Sequence, residues 1–587
     1  MIGAITGGFL MNLVRVNMTK GTIVTELVPE KYKLLGNRGL VAHIAYDEIM
    51  PTCNPIGPRN KLIVASSPME GLGVSCAGRI SVGGKSPLTG GIKEANSGGV
   101  AGARLASHGI RAIIVEGRPE DRHLHILHIN KNGMELIDAE DLRGKGTYET
   151  THTLLERYGK YAAVISIGQA GEQLLCASGV FINDMEGDSG RTAARGGVGA
   201  IMGAKGLKAI VVENDGQFKR QVKDEAALQE ARMALHKAIL ANPGSQFYTK
   251  LGTMGFMMPV HALGAMPAKG FTDGNYKNVE LVNGDVLLAN IAERGGEGKP
   301  THACMPGCVV RCSNIYPDKQ GKKIVSPLEY ESGNLLGPNL CIDDLDSIAR
   351  MTYQCNNYGL DSIEVGAALG VAAHAGILPW GDKERAAELI DEIAQGTHLG
   401  KIIGSGAAFV GKIFGIDKVP VVKGQAMAAY DPRGVKSMAV TYAMTPMGAD
   451  HTAAVTFRSP IDHFHWEGAI DTSRTLQVSV AFYDTYFCSF IARGIGTDIH
   501  LMVNLFNSVF GTDFKDNAFM SDIGKEVIKH ERMFNIAAGV TEEWVPEWMR
   551  HEPLMPHGRV SDIPESEYAR YWDIDFWGEF PSVPARL

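Results

Sequence analysis

Over roughly the first two hundred residues, apolar positions fall in short runs parted by glycine turns, the spacing of strands rather than helices. Leu13 to Asn17 and Thr22 to Leu27 alternate apolar and polar about M-T-K-G, which predicts a β-hairpin. Continuous apolar runs at Leu62–Ala65, Ala112–Glu116, Ala163–Ile167 and Ala209–Glu213 predict strands covered on both faces. Two of these runs close copies of one imperfect repeat: G-G-V-A-G-A-R-L-A-S-H-G-I-R-A-I-I-V-E-G from Gly98 matches G-G-V-G-A-I-M-G-A-K-G-L-K-A-I-V-V-E-N from Gly196, with one residue deleted. Each copy reads as a glycine turn, a short helix of small residues, a glycine stop and a strand, which predicts two pseudo-symmetric halves. Such helix starts hold phosphates, because unpaired N–H donors and the helix dipole both favour an anion. Close helix–sheet packing through glycine explains either copy alone equally well. The presence of two copies favours a ligand with two phosphate-bearing parts.

After about Asn214 the apolar period becomes helical. Val222 to Leu240 is amphipathic and stops before N-P-G; Asp343 to Gly376 is alanine-rich and broken at Gly359; Asp382 to Ala394 follows. Val421 to Met438, interrupted by D-P-R-G, then Ala469 to Arg493 and Ser521 to Phe534 continue the helical texture, and a Pro- and Trp-rich tail begins near Pro546. The pattern predicts an α+β chain: a β-rich domain over 1–214, a mainly helical one over 215–425 and another over 426–587.

Composition narrows the function classes. A chain of 587 residues with net charge −8 offers no basic face for nucleic acid and no polybasic membrane patch. No apolar run is long enough to span a bilayer. The start, MIGAITGGFLMNLVRVNM, has no basic n-region or cleavage site, so no signal peptide is expected. Nine cysteines, an odd number dominated by one cluster, fit a reducing cytoplasm.

That cluster carries the chemistry. Cys304, Cys308 and Cys312 lie in C-M-P-G-C-V-V-R-C, with no second knuckle after them and no histidine before His374 on the C-terminal side. Zinc sites show paired knuckles or a Cys/His pair, so an iron–sulfur cluster with a remote fourth ligand is expected instead. Cys488, beside the polar Asp484, is preferred as that ligand over Cys341 and Cys355. Close behind the cluster, P-L-E-Y-E-S sets Glu329, Tyr330 and Glu331 among apolar residues, where a desolvated carboxylate becomes a base near neutrality; the alternative is a solvated turn. T-P-M-G-A-D-H-T places Asp450 and His451 in a glycine turn, a setting for a proton carrier, with His463 and His465 as alternatives.

These motifs, with R-V-N-M-T, A-G-R-I-S-V-G-G-K-S-P-L-T-G, N-S-G-G, R-T-A-A-R-G-G-V-G-A-I-M-G-A-K, N-N-Y-G-L-D-S and Y-D-P-R-G-V-K-S-M-A, follow one another in the order of a known family. From end to end the chain resembles the tungsten-dependent aldehyde:ferredoxin oxidoreductases. The resemblance implies a tungsten ion held by two pterins beside a [4Fe–4S] cluster, with Gly98–Gly99 and Gly196–Gly197 each serving one pterin phosphate. It implies a magnesium ion between the phosphates, held in part by the Asn96 carbonyl, and places Arg79 between pterin and cluster. Arg191 and Arg195 fall in the second loop. Asn356, Gly359, Leu360 and Asp361 fall in a stretch that looks like the family's first pterin motif, D-x-x-G-L-D, with Asn356 in place of its first aspartate, and Asp484 with Cys488 in a later one, D-x-x-G-L-C.

Glu331 corresponds to the glutamate beside the metal, Tyr330 to its neighbour and His451 to a proton-transferring histidine. The chain departs from the family pattern in two places: one extra residue between Cys304 and Cys308, and D-T-Y-F-C, one residue short, at Asp484. The implied reaction oxidises an aldehyde to a carboxylic acid and hands electrons to a ferredoxin or a polyferredoxin-like subunit, in a homo- or hetero-oligomer. Alternatives are a related tungstoenzyme that reduces an aromatic acyl-CoA, and an electron-transfer subunit of a larger complex.

Overall fold

The computed structural model describes residues 11–121, 123–495, 498 and 500–585, so most of the stretch read for a signal peptide lies outside the described residues. Two six-stranded sheets open the chain. The first holds β1 (Asn12–Asn17), β2 (Thr22–Leu27), β3 (Leu62–Ser66), β4 (Ile80–Lys85), β5 (Ile92–Ser97) and β6 (Ile110–Glu116), in the order β2-β1-β6-β3-β4-β5. The second holds β7 (His125–Asn130), β8 (Gly133–Asp138), β9 (Ala163–Ser166), β10 (Val180–Ile182), β11 (Arg191–Ala193) and β12 (Leu207–Val212), in the order β11-β10-β9-β12-β7-β8.

Read strand for strand, the two orders are one wiring used twice. A hairpin leads to a helix (Asn37–Glu48 or Thr147–Tyr158), then three antiparallel strands, a glycine turn, a short helix (Ala101–Ser107 or Val198–Ala204) and a last strand parallel to the first. The repeat seen in the sequence is therefore the tail of a duplication that takes in the whole of each half. The front portion of each half carries no repeat that the sequence alone revealed.

The inner faces of the sheets meet in one core, where Val64, Val82, Ile113 and Val115 pack with Ile129, Ile165, Ile182 and Ile210. Alternate residues of the same strands face outward into separate cores: Ile63, Ala112 and Ile114 under Asn37–Glu48, and Val164, Ala209 and Val211 under Thr147–Tyr158. Burial on both faces explains the unbroken apolar runs. The glycine turns close the join between the halves. Gly99 has φ +97°, and a Cβ there would stand 2.5 Å from Ile182 Cγ2 and 2.8 Å from Asn183 O. Gly99→Ala is expected to cost about 2–4 kcal/mol, from the positive-φ penalty plus overpacking. A urea midpoint lowered at unchanged slope would register it; an unmoved midpoint would contradict this packing.

The remainder is mainly helical, as the pattern predicts, with three exceptions. A small three-stranded sheet (Lys299–His302, Ser313–Pro317, Lys323–Val325) interrupts it, and the cysteine loop runs between its first two strands. Its strands are too short and polar for periodicity to reveal. Val421 to Met438 is not a helix: Lys423 and Gly424, both at positive φ, turn a hairpin between Val421–Val422 and Gln425–Ala426, and the helix begins only at Lys436–Met444. The run Ala469 to Arg493 is two helices, Ala469–Tyr486 and Ile491–Ile495, because the Cys488 N–H leaves the helical ladder to donate to Cys76 O at 2.8 Å. The predicted break at Gly359 holds. Gly359 (φ +76°) stops Leu345–Tyr358, and the Asp361 side chain caps Ser362–His374 by accepting from the Ile363 N–H. Among the described residues no helix is long and apolar enough to cross a membrane.

Candidate active site

Where the duplicated sheets meet the helical part, a cavity of about 450 Å³ gathers residues from all regions of the chain. Arg79, Asn96, Gly98, Arg191 and Arg195 come from the sheet region; Cys304, Cys308, Cys312, Tyr330, Glu331, Asn356, Leu360 and Asp361 come from the middle; His451, Asp484 and Cys488 come from the last third. Gly99, Gly196, Gly197 and Gly359 are not on its wall. Their glycines serve close approach instead: a Cβ at Gly196 would meet Lys93 Cγ at 2.4 Å, and one at Gly197 would meet Pro87 Cγ at 2.7 Å. Cys341, Cys355, His463 and His465 also lie off the wall.

At one end, Tyr330 and Glu331 open the helix Tyr330–Leu335. Glu331 Oε2 accepts the Ala429 N–H at 2.7 Å, and the Tyr330 hydroxyl donates to Ala429 O at 2.6 Å, so the backbone of one residue orients both side chains. His451 Nε2 lies 3.2 Å from Glu331 Oε1, outside hydrogen-bond alignment. Behind His451, Asp450 pairs with Lys93, which β5 sends across the join through the space left by Gly196. Burial pushes the Asp450 carboxyl up, but Lys93, Arg195 and His451 outweigh it and hold the group well below the usual range. Its Oδ1 also accepts the Thr452 N–H at 3.0 Å, which pins the turn that carries His451.

Arg195 ties this end to the corner at Gly359–Asp361. It reaches Asp361 at 3.3 Å and donates to Ala449 O at 2.9 Å and Ala426 O at 2.5 Å. Arg191 is held by Ser313 Oγ (2.7 Å), His302 Nδ1 (2.9 Å), Ser326 Oγ (3.1 Å) and Asp184 (3.3 Å), which fastens the second glycine loop to the cysteine sheet. Arg79 donates to both the side-chain oxygen and, at 2.8 Å, the carbonyl of Asn96. Asp484 stands 3.7 Å from Arg38. Burial, with the neighbouring Glu94, pushes its carboxyl up to about 8.

At the other end are the cysteines, none in a disulfide. Cys304 is latched by the Gly99 N–H, which donates to its carbonyl at 2.8 Å; a Cβ at Gly98 would meet Cys304 Sγ at 3.1 Å. A hydrogen bond shared with Cys308, together with burial, pushes the Cys304 thiol far up, and burial does the same to Cys312 and Cys488. Thiolates in such a place need a cation to hold them. The wall also carries polar atoms without a protein partner among the described residues: Arg191 Nε, Ser97 Oγ, Glu331 Oε1 and His451 Nδ1. Converging free thiols and partnerless buried donors are what a metal cluster and a polar organic cofactor require.

Glu329, named with Tyr330 and Glu331 from the sequence, is also on the wall; burial pushes its carboxyl up, and it accepts the Thr253 hydroxyl. Sequence reading did not single out Tyr430 and Cys76, which are on the wall, or Lys93, which is off it and pairs with Asp450. The Tyr430 ring lies tilted against His451, ring centroids 5.8 Å apart, and against Tyr330 at 5.3 Å. Cys76 is a fifth thiol on the wall.

Comparison with known proteins accords with this arrangement. The model of the aldehyde ferredoxin oxidoreductase N-terminal domain matches residues 13–214, and that of its domains 2 and 3 matches residues 230–584. The tungsten-containing aldehyde ferredoxin oxidoreductase of Pyrococcus horikoshii is 32% identical over 98% of this chain and 98% of its own. That of Pyrococcus furiosus is 32% identical over 97% and 96%. The WOR-like subunit of an aliphatic sulfonate oxidoreductase from Pyrococcus furiosus is more distant, at 25% identity over 88% and 84%. Among solved structures, the active site complex BamBC of benzoyl coenzyme A reductase with 1,5-dienoyl-CoA shares the fold, with a TM-score of 0.79 at 19% identity over 96% of this chain and 93% of that one. Two family models spanning nearly the whole chain, and relatives at 32% identity end to end, place this protein in the aldehyde ferredoxin oxidoreductase family.

Proposed function

We propose that this protein oxidises an aldehyde and water to a carboxylic acid, releasing two protons and two electrons. The observation that carries the reading is the shared cavity: Glu331 and His451, 3.2 Å apart, face the same space as the thiols of Cys304, Cys308, Cys312 and Cys488. When bound, tungsten in two pterin dithiolenes supplies the two-electron acceptor, and a [4Fe–4S] cluster passes electrons on singly.

The protein's own part is positioning and proton handling. Cys304, Cys308, Cys312 and Cys488 hold the cluster, with Arg79 as a fixed cation beside it. Arg191, Arg195, Asn356, Leu360, Asp361 and Asp484 line the pterin sites. The Asn96 carbonyl, already accepting from Arg79, keeps a second lone pair for a magnesium ion. Glu331 takes a proton from the water that adds to the aldehyde carbon, and His451 donates to the substrate oxygen or passes a proton on. Asp450 stands behind the ring, its Oδ1 3.9 Å from His451 Nδ1. The electron acceptor is a ferredoxin or an iron–sulfur subunit in the cytoplasm.

Metal analysis of anaerobically purified protein, followed by an aldehyde panel with dye reduction, tests the assignment. About one tungsten per chain with aldehyde-dependent reduction is expected; iron without tungsten would make the chain an electron-transfer subunit. His451→Gln is expected to lower turnover by about 10²–10⁴-fold while tungsten and iron contents stay at wild-type levels. Turnover within twofold of wild type would remove His451 from the proton path.

A further inference from the structure

The His451 ring makes no hydrogen bond among the described residues: its Nδ1 has no partner, and its Nε2 stands 3.2 Å from Glu331 Oε1 outside alignment. Glu331, by contrast, is fixed by the Ala429 N–H. Where the ring stands is therefore decided by the backbone of its own turn. Asp450 caps that turn, its Oδ1 accepting the Thr452 N–H at 3.0 Å and the Thr452 hydroxyl at 2.7 Å. Its Oδ2 takes the ammonium of Lys93, which also donates to Met447 O at 3.4 Å. Arg195 holds Ala449 O at 2.9 Å, and Asn535 holds Pro446 O at 2.8 Å. Of these ties, that of Lys93 grips both the capping carboxylate and the backbone ahead of it.

Lys93 belongs to β5 of the first sheet, yet its path to Asp450 runs past the second copy of the repeat. A Cβ at Gly196 would stand 2.4 Å from Lys93 Cγ, 2.8 Å from Cδ and 3.2 Å from Cε, so this glycine leaves the passage for the lysine stem. Its counterpart in the first copy, Gly98, backs the cysteine loop instead, where a Cβ would meet Cys304 O at 3.0 Å. One glycine turn thus serves the cysteine end and the other the His451 end. The Lys93 side chain is fully buried, and a buried ammonium is costly unless paired. Sheet packing fixes the stem, and the stem fixes the carboxylate.

We propose that Lys93 is a positioning residue for the proton step: through Asp450 it sets the turn that holds His451 beside Glu331. It is off the cavity wall, so it acts on the reaction only through that placement. A misplacement of about 1 Å costs on the order of 10²-fold in rate. The proposal rests on the role of His451 given above, and the experiment separates the two.

Lys93→Met, Asp450→Asn and the double variant are compared with the unaltered full chain, purified anaerobically. Metal content, kcat and KM with acetaldehyde and benzaldehyde, and crystal structures are read. Each single variant is expected to keep tungsten and iron and to lose about 10–10²-fold in kcat at a KM within about twofold of wild type. His451 Nε2 should then stand farther than 3.2 Å from Glu331 Oε1. The double variant is expected to lose no more than the worse single, because the two side chains form one link.

Should Lys93→Met fail to fold, because it leaves a buried carboxylate without its lysine, the double variant, neutral at both positions, is read alone. Turnover within about twofold of wild type in the double variant would overturn the proposal. So would single losses that multiply in the double, or an unchanged separation of His451 from Glu331. Wild-type turnover in His451→Gln would instead remove the role of His451 itself.

Discussion

Glu331→Gln is expected to bind tungsten and iron at wild-type levels and to lose about 10²–10⁴-fold in aldehyde turnover. The fold has no reason to notice the change. The amide oxygen of glutamine can still accept the Ala429 N–H now held by Glu331 Oε2, and the new amide is as large as the carboxylate it replaces. What vanishes is the acceptor that faces His451 at 3.2 Å. An amide NH₂ in that place donates only, so it cannot take a proton from water.

Undiminished aldehyde oxidation in Glu331→Gln would refute the role. Glu331→Asp adds a control, since the shorter carboxylate keeps the chemistry but withdraws it from the cavity, and should fall between the two.

The second large effect belongs to the cysteines. Cys312→Ala is expected to abolish the iron–sulfur absorbance and, with it, all dye-linked turnover. The loop itself should persist, for Cys304 remains latched by Gly99 and Val309 by Ser75. Losing the cluster also removes its binding free energy from the folded state, so a lower thermal midpoint should accompany the bleaching. Full retention of the absorbance band in Cys312→Ala would mean that other thiolates hold the iron. Intact iron with lost turnover would place Cys312 in electron transfer instead.

The two predictions rest on different signals. Three thiols within nine residues are dense enough to be noticed without a fold, whereas Glu331 was picked out by its match to a family motif. Lys93, Cys76 and Tyr430 gave no such signal. Each stands singly, and its place, at the cavity for Cys76 and Tyr430 and against Asp450 for Lys93, comes from what lies opposite in the fold.

The same division runs through the architecture. Strand and helix character followed from period, and the corner at Gly359–Asp361 from its stop and cap residues, because those depend on interactions within a few residues. The small sheet beside the cysteines and the hairpin at Lys423–Gly424 escaped, because strands of two to five residues carry too few positions to show a period.

The chain by itself determined that two related β-rich units come first, that thiols crowd one loop, and that an acid and a histidine stand ready elsewhere. Only the tertiary structure decided that these belong to one cavity and that the duplication spans entire halves. It also decided that most paired glycines make room for Lys93, Pro87 and Ile182 rather than face the cavity. The physical reason is range. Backbone propensity and apolar period act over a turn or two, whereas the meeting of Glu331 with His451, or of Cys488 with Cys76, is set by how large buried faces fit together.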